Sequence, residues 1–377
     1  MKEYNKRAWV EINLDKLEQN VRKLRHNLFE STELMPIVKA NAYGHGDIKI
    51  CAKLSEIGIK YYGVASISEA VTVRQTIHSG DILIMGYTPP EYAKDIFKYD
   101  IIQSIVSFEH AVLLDKMAVK PIRCHIKIDT GMGRVGLKNA NYYECANEIE
   151  KIIKLRKISV EGIFTHYAVA DSDTENDIAY TNAQTEYILA VHGELKRRNI
   201  DIRHVHFLNS AGFSYHNHPQ STLARVGINL YGLSSNYERG VPFGLEPLLE
   251  FKTIISQVKY INKGDSVSYG RTFTAEKEMK IASLTVGYAD GYSRLLSSKG
   301  EALVHGIRCK IIGRVCMDQI MLDVSDVPNV SAGDTVTLIG REGNEIISAD
   351  YLASLYGTID YEVVCGISNR VSRVYLQ

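Results

Sequence analysis

Short runs of apolar and β-branched residues alternate with amphipathic stretches over the first two-thirds of the chain. The strand candidates are 34–38, 61–65, 81–85, 101–106, 123–128, 160–164, 203–207 and 222–226. Between them, 15–30, 66–79, 141–156 and 178–198 have apolar residues at helical spacing, with Asp15 and Ser68 as candidate N-caps. Eight strand–helix units in about 230 residues are typical of a (β/α)8 TIM barrel, although periodicity alone leaves an open parallel sheet possible.

The pattern changes after about residue 240. Closely spaced strand candidates follow at 251–260, 281–287, 302–305, 308–312, 320–324 and 335–339, separated by turns rich in Gly, Asp and Lys. This spacing predicts a mostly antiparallel β domain. Gly240, Pro242, Gly244 and Pro247 cluster at the change of pattern. We therefore predict an α/β protein with a barrel over residues 1–240 and a β domain over residues 241–377.

The composition excludes several classes of protein. Lys plus Arg (44) balance Asp plus Glu (44), so the chain offers no overall positive charge to nucleic acid. The six cysteines include no CxxC pair, which favours reduced thiols over a disulfide framework. The sequence has neither a signal-peptide core nor a membrane-length apolar run. We expect a cytoplasmic protein, membrane-anchored only if this chain is an excised domain of a longer one.

Candidate chemistry begins where the first barrel strand ends, in VKANAYGHGD (38–47). Lys39 directly follows apolar residues, and Tyr43 and His45 lie close behind it. A lone lysine at this position is commonly a strand-end side chain that reaches out to solvent. A desolvated lysine amine can instead serve as a Schiff-base nucleophile. The polar, glycine-containing loop that follows favours the functional interpretation.

The fifth strand ends in IKIDTGMGRVG (126–136), which contains a formal GxGxxG pattern. A dinucleotide site also requires an acidic residue roughly 20 positions further on, and position 156 is Arg. We therefore expect a tight turn that displays Lys127, Asp129 and Arg134 at the strand end.

Strands six to eight end in FTHYAVADS, HFLNSAGF and ARVGINLYG. The loops after the last two strands often bind phosphate in barrels. The histidine pairs His204/His206 and His216/His218 have no carboxylate at ligand-like spacing, so we predict no metal site.

Eight motifs in this order resemble the alanine racemase family of fold-type III pyridoxal-phosphate (PLP) enzymes. They are VKANAYGHG, DTGMGRVG, FTHYAVAD, RVGINLYG, SYGRTF, GYADGYSR, GRVCMDQ and TIDYEVVC, and the resemblance extends from residue 8 to residue 373. It implies an eight-stranded barrel followed by a β domain, with PLP as cofactor.

The resemblance also implies two bases on opposite faces of the substrate. Lys39 matches the residue that binds the cofactor through a Schiff base and serves the D-amino acid. Tyr269 matches the base for the L-amino acid, which the partner subunit contributes, so a homodimer is expected. His166 matches the neighbour of that tyrosine and of Arg225, the arginine that faces the pyridine nitrogen.

The remaining site residues are assigned by the same resemblance. The phosphate-binding groups are Tyr43, Ser210, Gly227, Ile228 and Tyr361. Arg134 and Met317 contact the substrate, and Lys127 occupies the position of a lysine that many members carry carbamylated. The entry corridor consists of Asp171, Tyr288, Arg294, Arg314 and Asp318. The chain departs from the family pattern at Ser372 and Asn369, both outside the predicted catalytic set.

The leading functional hypothesis is an alanine racemase that supplies D-alanine for peptidoglycan. A serine racemase domain of the type attached to glycopeptide (vancomycin) resistance is the close alternative. Those proteins carry membrane helices before the catalytic domain, whereas this chain has none and begins at Met1, and Tyr361 favours the smaller substrate alanine. A non-enzymatic PLP-binding barrel is a third possibility, which Tyr269 in SYGRTF disfavours.

Overall fold

The computed structural model describes residues 7–377; residues 1–6, which we assigned to the barrel domain, lie outside the described residues. Backbone contacts divide the chain into two compact units. The C-terminal unit comprises residues up to Leu17, the short segment Tyr43–Gly46 and Pro247–Gln377. The barrel unit comprises Glu18–Ala42 and Asp47–Glu246. Each unit is therefore discontinuous in sequence.

Strand β1 (Ala8–Asn13) belongs to the C-terminal unit, and the next eight strands build the barrel. These are β2 (Glu33–Pro36), β3 (Tyr61–Val64), β4 (Asp81–Ile84), β5 (Ile101–Ile105), β6 (Ile122–Lys127), β7 (Ile158–Phe164), β8 (His204–His206) and β9 (Leu223–Val226). All eight lie within two residues of the predicted strand positions.

The barrel closes through parallel pairing. Strands β3 to β8 form one sheet in sequence order, and β2 pairs with β9. Two isolated parallel bridges, Ile37 to Gly63 and Leu208 to Ala224, join β2 to β3 and β8 to β9. The predicted (β/α)8 barrel is thereby confirmed, and the open-sheet alternative is wrong.

Helix α1 (Leu14–His26) precedes the first barrel strand, and further helices connect successive barrel strands. The connecting helices are α2 (Lys39–Tyr43), α3 (Asp47–Glu56), α4 (Ile67–Thr76), α5 (Ala93–Lys98), α6 (Phe108–Met117), α7 (Tyr142–Ile153), α8 (Glu175–Arg197) and α9 (Ser210–Tyr215). Short 3-10 turns lie at Pro90–Tyr92, Ile228–Tyr231 and Pro242–Gly244.

Both predicted N-caps are wrong. Helix α4 is capped by Ser66, not Ser68, because the Ser66 side chain accepts from the backbone of Glu69 in a capping box. At the start of α1 the side chain of Asn13, not Asp15, accepts the backbone N–H of Lys16 at 2.8 Å. Asp15 lies in the first turn, where its negative charge complements the helix dipole.

The barrel strands are buried on both faces. Every residue of β3 and β5 is buried, including the polar pair Gln103 and Ser104. These two side chains donate to backbone carbonyl oxygens, at 2.8 Å from Gln103 to Gly86 and 2.5 Å from Ser104 to Ile84. Hydrogen bonding offsets the cost of burying polar groups, so the barrel interior tolerates them.

The C-terminal unit is built on strands. They are β10 (Leu249–Ile261), β11 (Ser266–Val267), β12 (Phe273–Thr274), β13 (Met279–Leu284), β14 (Glu301–Val304), β15 (Ile307–Lys310), β16 (Ile320–Asp323), β17 (Thr335–Glu342), β18 (Glu345–Ile347) and β19 (Ser372–Leu376). Two helices, α10 (Ala349–Tyr356) and α11 (Asp360–Cys365), precede β19, and 3-10 turns lie at Tyr269–Arg271, Tyr288–Asp290 and Arg294–Leu296.

Strand β10 is the centre of this unit. It pairs antiparallel with β1, β13 and β17. The sheet runs β15-β14-β17-β10-β1-β19; beside this path β13 pairs with β10, β16 pairs with β13, and β18 pairs with β17. Only the β1–β19 pair is parallel among the pairings of this sheet over residues 7–377. The predicted mostly antiparallel domain is therefore confirmed. Within the described chain, no helix has the length and apolar character needed to cross a membrane.

Phe251 lies at the crossing of three strands, opposite Val10 on β1 and Ile339 on β17, and is 1% exposed. We expect Phe251→Ala to lower the free energy of unfolding of the C-terminal unit by about 3–5 kcal/mol, because it removes buried area and leaves a cavity. Urea denaturation followed by circular dichroism measures the loss. The exposed Lys259→Ala on the same strand is the control, and equal effects of the two changes would contradict the assignment of Phe251 to the core.

Candidate active site

The barrel collects nine of the predicted site residues at the carboxyl ends of its strands or in the loops that follow. They are Lys39, Lys127, Arg134, His166, Asp171, Ser210, Arg225, Gly227 and Ile228. The carboxyl end is where barrels of this type carry their active sites. The barrel topology therefore brings these residues to one rim.

Lys39 begins a left-handed backbone segment. The next four residues, Ala40, Asn41, Ala42 and Tyr43, have φ angles of 52°, 54°, 52° and 53°. Left-handed helical backbone costs an L-residue roughly 1–2 kcal/mol, and glycine is absent from these four positions. Such concentrated strain persists only where surrounding contacts hold it, and it is typical of functional sites.

Glu69 is one of the contacts that hold this segment. Its Oε1 accepts the backbone N–H of Ala40 at 2.8 Å, directly after Lys39. Its Oε2 accepts the backbone N–H groups of Ala65 (2.8 Å) and Ser66 (3.2 Å) at the start of α4. One carboxylate therefore joins the segment after Lys39 to the rim at β3. Glu69 was not among the site residues predicted from the sequence.

Arg225 is a buried cation without a carboxylate partner among the described residues. It is 2% exposed. Its Nη2 donates to the carbonyl oxygens of Thr165 (2.7 Å) and Phe207 (3.3 Å) and lies 3.5 Å from Nδ1 of His166. Its Nη1 donates to Nδ1 of His206 at 3.0 Å. All these acceptors are neutral, so they position the guanidinium without cancelling its charge.

The uncancelled charge changes the titration of its neighbours. Burial and then the Arg225 guanidinium lower the pKa of His166 and of His206 well below the ordinary value. Burial lowers the pKa of Arg225 itself to about 9, which leaves the guanidinium protonated at neutral pH. Both histidines are therefore neutral hydrogen-bonding groups, and Arg225 is the charged member of the cluster.

Lys127, the last residue of β6, lies in the same cationic region. Burial lowers its pKa to about 8, with further lowering from Arg134 and Arg225. Its Nζ and the Arg225 guanidinium each lie 5.5 Å from the ring centre of Phe164. The aromatic face partly compensates the two cations.

The turn after β6 explains the GxGxxG pattern. Asp129 Oδ1 accepts the backbone N–H groups of Gly131 (3.1 Å) and Gly133 (2.9 Å). Gly136 has φ of 134°, and a Cβ there would lie 2.8 Å from the backbone nitrogen of Asp129. The glycines therefore permit a tight turn that returns the chain to β6, as the sequence predicted.

Ser210, Gly227 and Ile228 lie after the last two strands. The backbone N–H of Gly227 donates to Oγ of Ser210 at 2.9 Å. Ser210 begins α9, where Asn209 caps the helix through the N–H of Gly212. The hydrogen bond between Gly227 and Ser210 therefore joins the segments that follow β8 and β9 at the rim.

The C-terminal unit contains the other eight predicted site residues: Tyr43, Tyr269, Tyr288, Arg294, Arg314, Met317, Asp318 and Tyr361. Tyr269 lies at the tip of the β11–β12 hairpin and is 70% exposed. Ser268, with φ of 70°, donates from Oγ to the carbonyl oxygen of Arg314 at 2.7 Å. The hairpin tip is thereby attached to the loop after β15.

Tyr269 and Met317 line one open cavity of about 420 Å³, with Ser268, Cys316, Asp318 and Gln319. The backbone at Gly287 packs closely against the backbone at Cys316. A Cβ at residue 287 would lie 2.3 Å from the carbonyl oxygen of Cys316, so only glycine fits there. The N–H of Ala289 donates to the carbonyl oxygen of Met317 at 3.0 Å. The loop of Met317 is therefore packed against backbone.

Tyr43 and Tyr361 come together in this unit, with ring centres 5.9 Å apart. Arg373 holds the chain after Tyr43, because its Nε donates to the carbonyl oxygen of Gly44 at 3.1 Å. Asp318, which the sequence assigned to the entry corridor, belongs to an ion-paired group. Asp318 and the buried Asp290 both contact Arg370, and Arg7 lies 2.6 Å from Asp290. The sequence assigned no role to Asp290, Arg370 or Arg7.

Comparison with known proteins agrees with this arrangement. Residues 12–235 match the family profile "Alanine racemase, N-terminal domain" and residues 248–375 match "Alanine racemase, C-terminal domain". The chain belongs to the alanine racemase family. "Alanine racemase 1" of Clostridium acetobutylicum is 40% identical over 374 residues, covering 98% of this chain and 95% of that protein. The alanine racemase of Halothermothrix orenii is also 40% identical, over 371 residues, covering 98% and 96%.

Solved structures of the family have the same fold. The alanine racemase from Bacillus anthracis with bound L-Ala-P superposes with a TM-score of 0.92 at 34% identity, covering 99% of this chain and 96% of that one. The alanine racemase from E. faecalis gives a TM-score of 0.90 at 32% identity, covering 99% of both chains. The resemblance stated from the motifs is thereby confirmed.

The family depends on PLP, and the barrel rim fits that cofactor. The rim presents a lysine amine, a serine hydroxyl beside backbone N–H groups, and a buried guanidinium with no carboxylate counter-ion among the described residues. Burial, and then the charges of Arg134 and Arg225, lower the pKa of Lys127, so this region disfavours further positive charge. An anionic phosphorylated ring complements such a site electrostatically.

Glu69→Ala should weaken PLP binding and lower stability by about 1 kcal/mol for each hydrogen bond lost, because the N–H after Lys39 loses its acceptor. Titration with PLP and thermal denaturation measure the two effects. Glu69→Gln retains one acceptor oxygen and should have a smaller effect.

The matched control is Glu144→Ala. Glu144 lies at the same position of α7, and its Oε2 accepts the backbone N–H of Ala140 at 3.3 Å. Equal loss of PLP affinity in the Glu69 and Glu144 variants would contradict a specific role of Glu69 at Lys39.

Proposed function

We propose that this chain interconverts L- and D-alanine with PLP and supplies D-alanine for peptidoglycan. The observation that carries the proposal is the position of Lys39 and the buried Arg225 at the rim of one barrel, in a chain that matches both domains of the alanine racemase family. PLP supplies, when bound, an electron sink that acidifies the Cα proton of an amino acid.

Lys39 is proposed to bind the cofactor covalently and to exchange the Cα proton on the face that serves D-alanine. The strained backbone after Lys39 supports this role, because it gives the lysine a defined direction at the rim. Tyr43, His166, Ser210, Gly227, Ile228 and Tyr361 are proposed to hold the rest of the cofactor.

Arg225 is proposed to face the pyridine nitrogen. A guanidinium donates hydrogen bonds and has no lone pair for accepting one. It therefore leaves that nitrogen unprotonated, which limits the electron sink and favours proton exchange over transamination.

Tyr269 is proposed to exchange the Cα proton on the opposite face, which serves L-alanine, in the site of a partner subunit. Its 70% exposure in the single chain supports a role at a surface that a second copy completes. We therefore propose a homodimer with two shared sites.

Arg134 and the backbone of Met317 are proposed to contact the substrate. Asp171, Tyr288, Arg294, Arg314 and Asp318 are proposed to line its path of entry. Lys127 is proposed to carry a carbamate that positions Arg134.

Removing the phenolic hydroxyl of Tyr269 tests the two-base proposal. We expect Tyr269→Phe to lower kcat for L-alanine by roughly 10²–10⁴-fold, because a general base is lost. Tyr260→Phe is the control, since Tyr260 is 69% exposed in the same unit but is not in the site. Both variants are assayed with L-alanine and L-serine, and unchanged turnover of Tyr269→Phe would contradict the proposal.

Subunit mixing tests whether Tyr269 acts across a dimer. Lys39→Ala and Tyr269→Phe homodimers should each be nearly inactive. Hybrid dimers contain one site with both native residues only if Tyr269 comes from the partner. Activity should therefore reappear on mixing after dissociation, and its absence in demonstrated hybrids would reject the shared site.

The lowered pKa of Lys127 predicts carbamylation. With a pKa of about 8, more of the amine is neutral at neutral pH than in an ordinary lysine. The neutral nitrogen bonds to the carbon of CO₂ and releases a proton, and nearby cations stabilise the carbamate anion. Isotope-labelled bicarbonate should give a carbamate NMR signal that increases as the pH rises toward 8.

The signal should be absent in Lys127→Met. Lys53→Met is the control and should retain the signal, because Glu18 raises the pKa of Lys53 and keeps that amine protonated, so it does not react with CO₂. A signal that persists in Lys127→Met would assign the carbamate elsewhere.

A further inference from the structure

A line of buried hydrogen bonds extends from Arg225 into the barrel interior. Nη1 of Arg225 lies 3.0 Å from Nδ1 of His206, and Nε2 of His206 lies 2.9 Å from Nδ1 of His125. His206 is 0% exposed and His125 is 1% exposed. The Phe164 ring stacks on His206 with ring centres 4.9 Å apart and planes 4° apart.

The chemistry of the three groups fixes the direction of this line. A guanidinium only donates hydrogen bonds, so Nδ1 of His206 must present its lone pair to Arg225. Neutral His206 then carries its proton on Nε2, and that N–H points at His125. Nδ1 of His125 must accept it, so neutral His125 carries its own proton on Nε2, which has no hydrogen-bond partner among the described residues.

We infer that His125 is a positioning residue for the proposed reaction: by accepting from His206, it keeps His206 in the tautomer that accepts from Arg225. The inference rests on the proposed role of Arg225 toward the cofactor. His125 touches neither the cofactor nor the substrate in this assignment, and it acts through His206 alone.

The neighbouring strand provides room for the His125 ring. A β-bulge shifts the register of β6 and β7 between Cys124 and His125 and sets Gly162 opposite His125. A Cβ at residue 162 would lie 2.8 Å from the His125 ring. Glycine at this position and the bulge thus accommodate an imidazole where a regular strand with a larger side chain would exclude it.

Loss of the acceptor at residue 125 has a definite consequence. The buried N–H without a partner would move from Nε2 of His125 to Nε2 of His206, the ring that accepts from Arg225. The other tautomer of His206 would remove the N–H from Nε2 at the expense of placing an N–H against Nη1 of Arg225. Either result disturbs the group that fixes Arg225.

The first measurement uses the unaltered protein with PLP bound. Long-range proton–nitrogen NMR correlations of the histidine-labelled protein distinguish the two neutral tautomers and the cation. We expect both His125 and His206 to be protonated on Nε2 only. A proton on Nδ1 of either histidine, or a doubly protonated ring, would overturn the inference whatever the activity of the protein.

The second measurement compares variants. His125→Asn retains an acceptor oxygen near the position of Nδ1, whereas His125→Leu removes it. We expect His125→Leu to weaken PLP affinity roughly tenfold, alter the absorption spectrum of the bound cofactor and lower kcat more than it raises KM, because a buried donor loses its partner. His125→Asn should restore most of the affinity and the spectrum.

His110→Leu is the matched control. His110 is also buried, at 3% exposure, and its Nε2 lies 3.0 Å from the carbonyl oxygen of Thr88, away from the line to Arg225. It should lower stability without changing the cofactor spectrum. If His125→Leu and His110→Leu gave the same cofactor spectrum, or if His125→Asn did not restore PLP affinity, His125 would be only a packing residue. Absence of racemisation by the native protein would instead reject the proposed function. The NMR measurement of the tautomers does not depend on activity and would still test the hydrogen-bond assignment.

Discussion

The barrel is organised around one buried positive charge that no carboxylate of residues 7–377 neutralises. Arg225 is held by the carbonyl oxygens of Thr165 and Phe207 and by the ring of His206, all neutral acceptors supplied by strand ends. A carboxylate partner would have made a buried ion pair and removed the field that Arg225 exerts at the rim. With neutral acceptors the field persists, and it contributes to the lowered pKa values of Lys127 and His166. The same choice of acceptors thus sets the geometry of Arg225 and the protonation of the groups around it.

Closure of the barrel is what makes such a cluster possible. The two bridges at Ile37 and Leu208 bring β2 and β9 into the ring, so residues almost two hundred positions apart reach one rim. Two local departures from regular backbone position the cluster: the left-handed segment after Lys39 at the rim, and the bulge inside the barrel wall that sets Gly162 opposite His125. Glu69 holds the first departure through the N–H of Ala40, and the second departure leaves room for the His125 ring that hydrogen-bonds to His206. Irregular backbone is therefore concentrated where the proposed chemistry needs defined directions.

These two departures also mark the limit of prediction from sequence. The eight barrel strands and the change to antiparallel strands were predictable, because continuous apolar runs and turn residues report burial and chain reversal directly. Lys39 and Lys127 could be proposed because charges at strand ends of a barrel meet at one rim, and Arg225 because its motif resembles that of the family. The N-cap at Ser66 was missed because Ser66 and Ser68 are both suitable capping residues, and only backbone geometry selects between them. The link from His206 to His125 was invisible because a one-residue bulge alters which residues face each other without changing the hydrophobic pattern.

A buried line of neutral histidines gives Arg225 directional control that carbonyl groups alone do not provide. A carbonyl oxygen accepts over a broad range of angles, whereas an imidazole nitrogen has a single lone pair in the ring plane. Stacking on Phe164 fixes the plane of His206, and the bond to His125 fixes its tautomer, so the lone pair toward Arg225 has one direction. Rotation of the guanidinium would break this bond while leaving its charge buried, a costly combination in a low-dielectric interior. The packed barrel core thus fixes the orientation of Arg225, which the proposed chemistry requires to remain a hydrogen-bond donor.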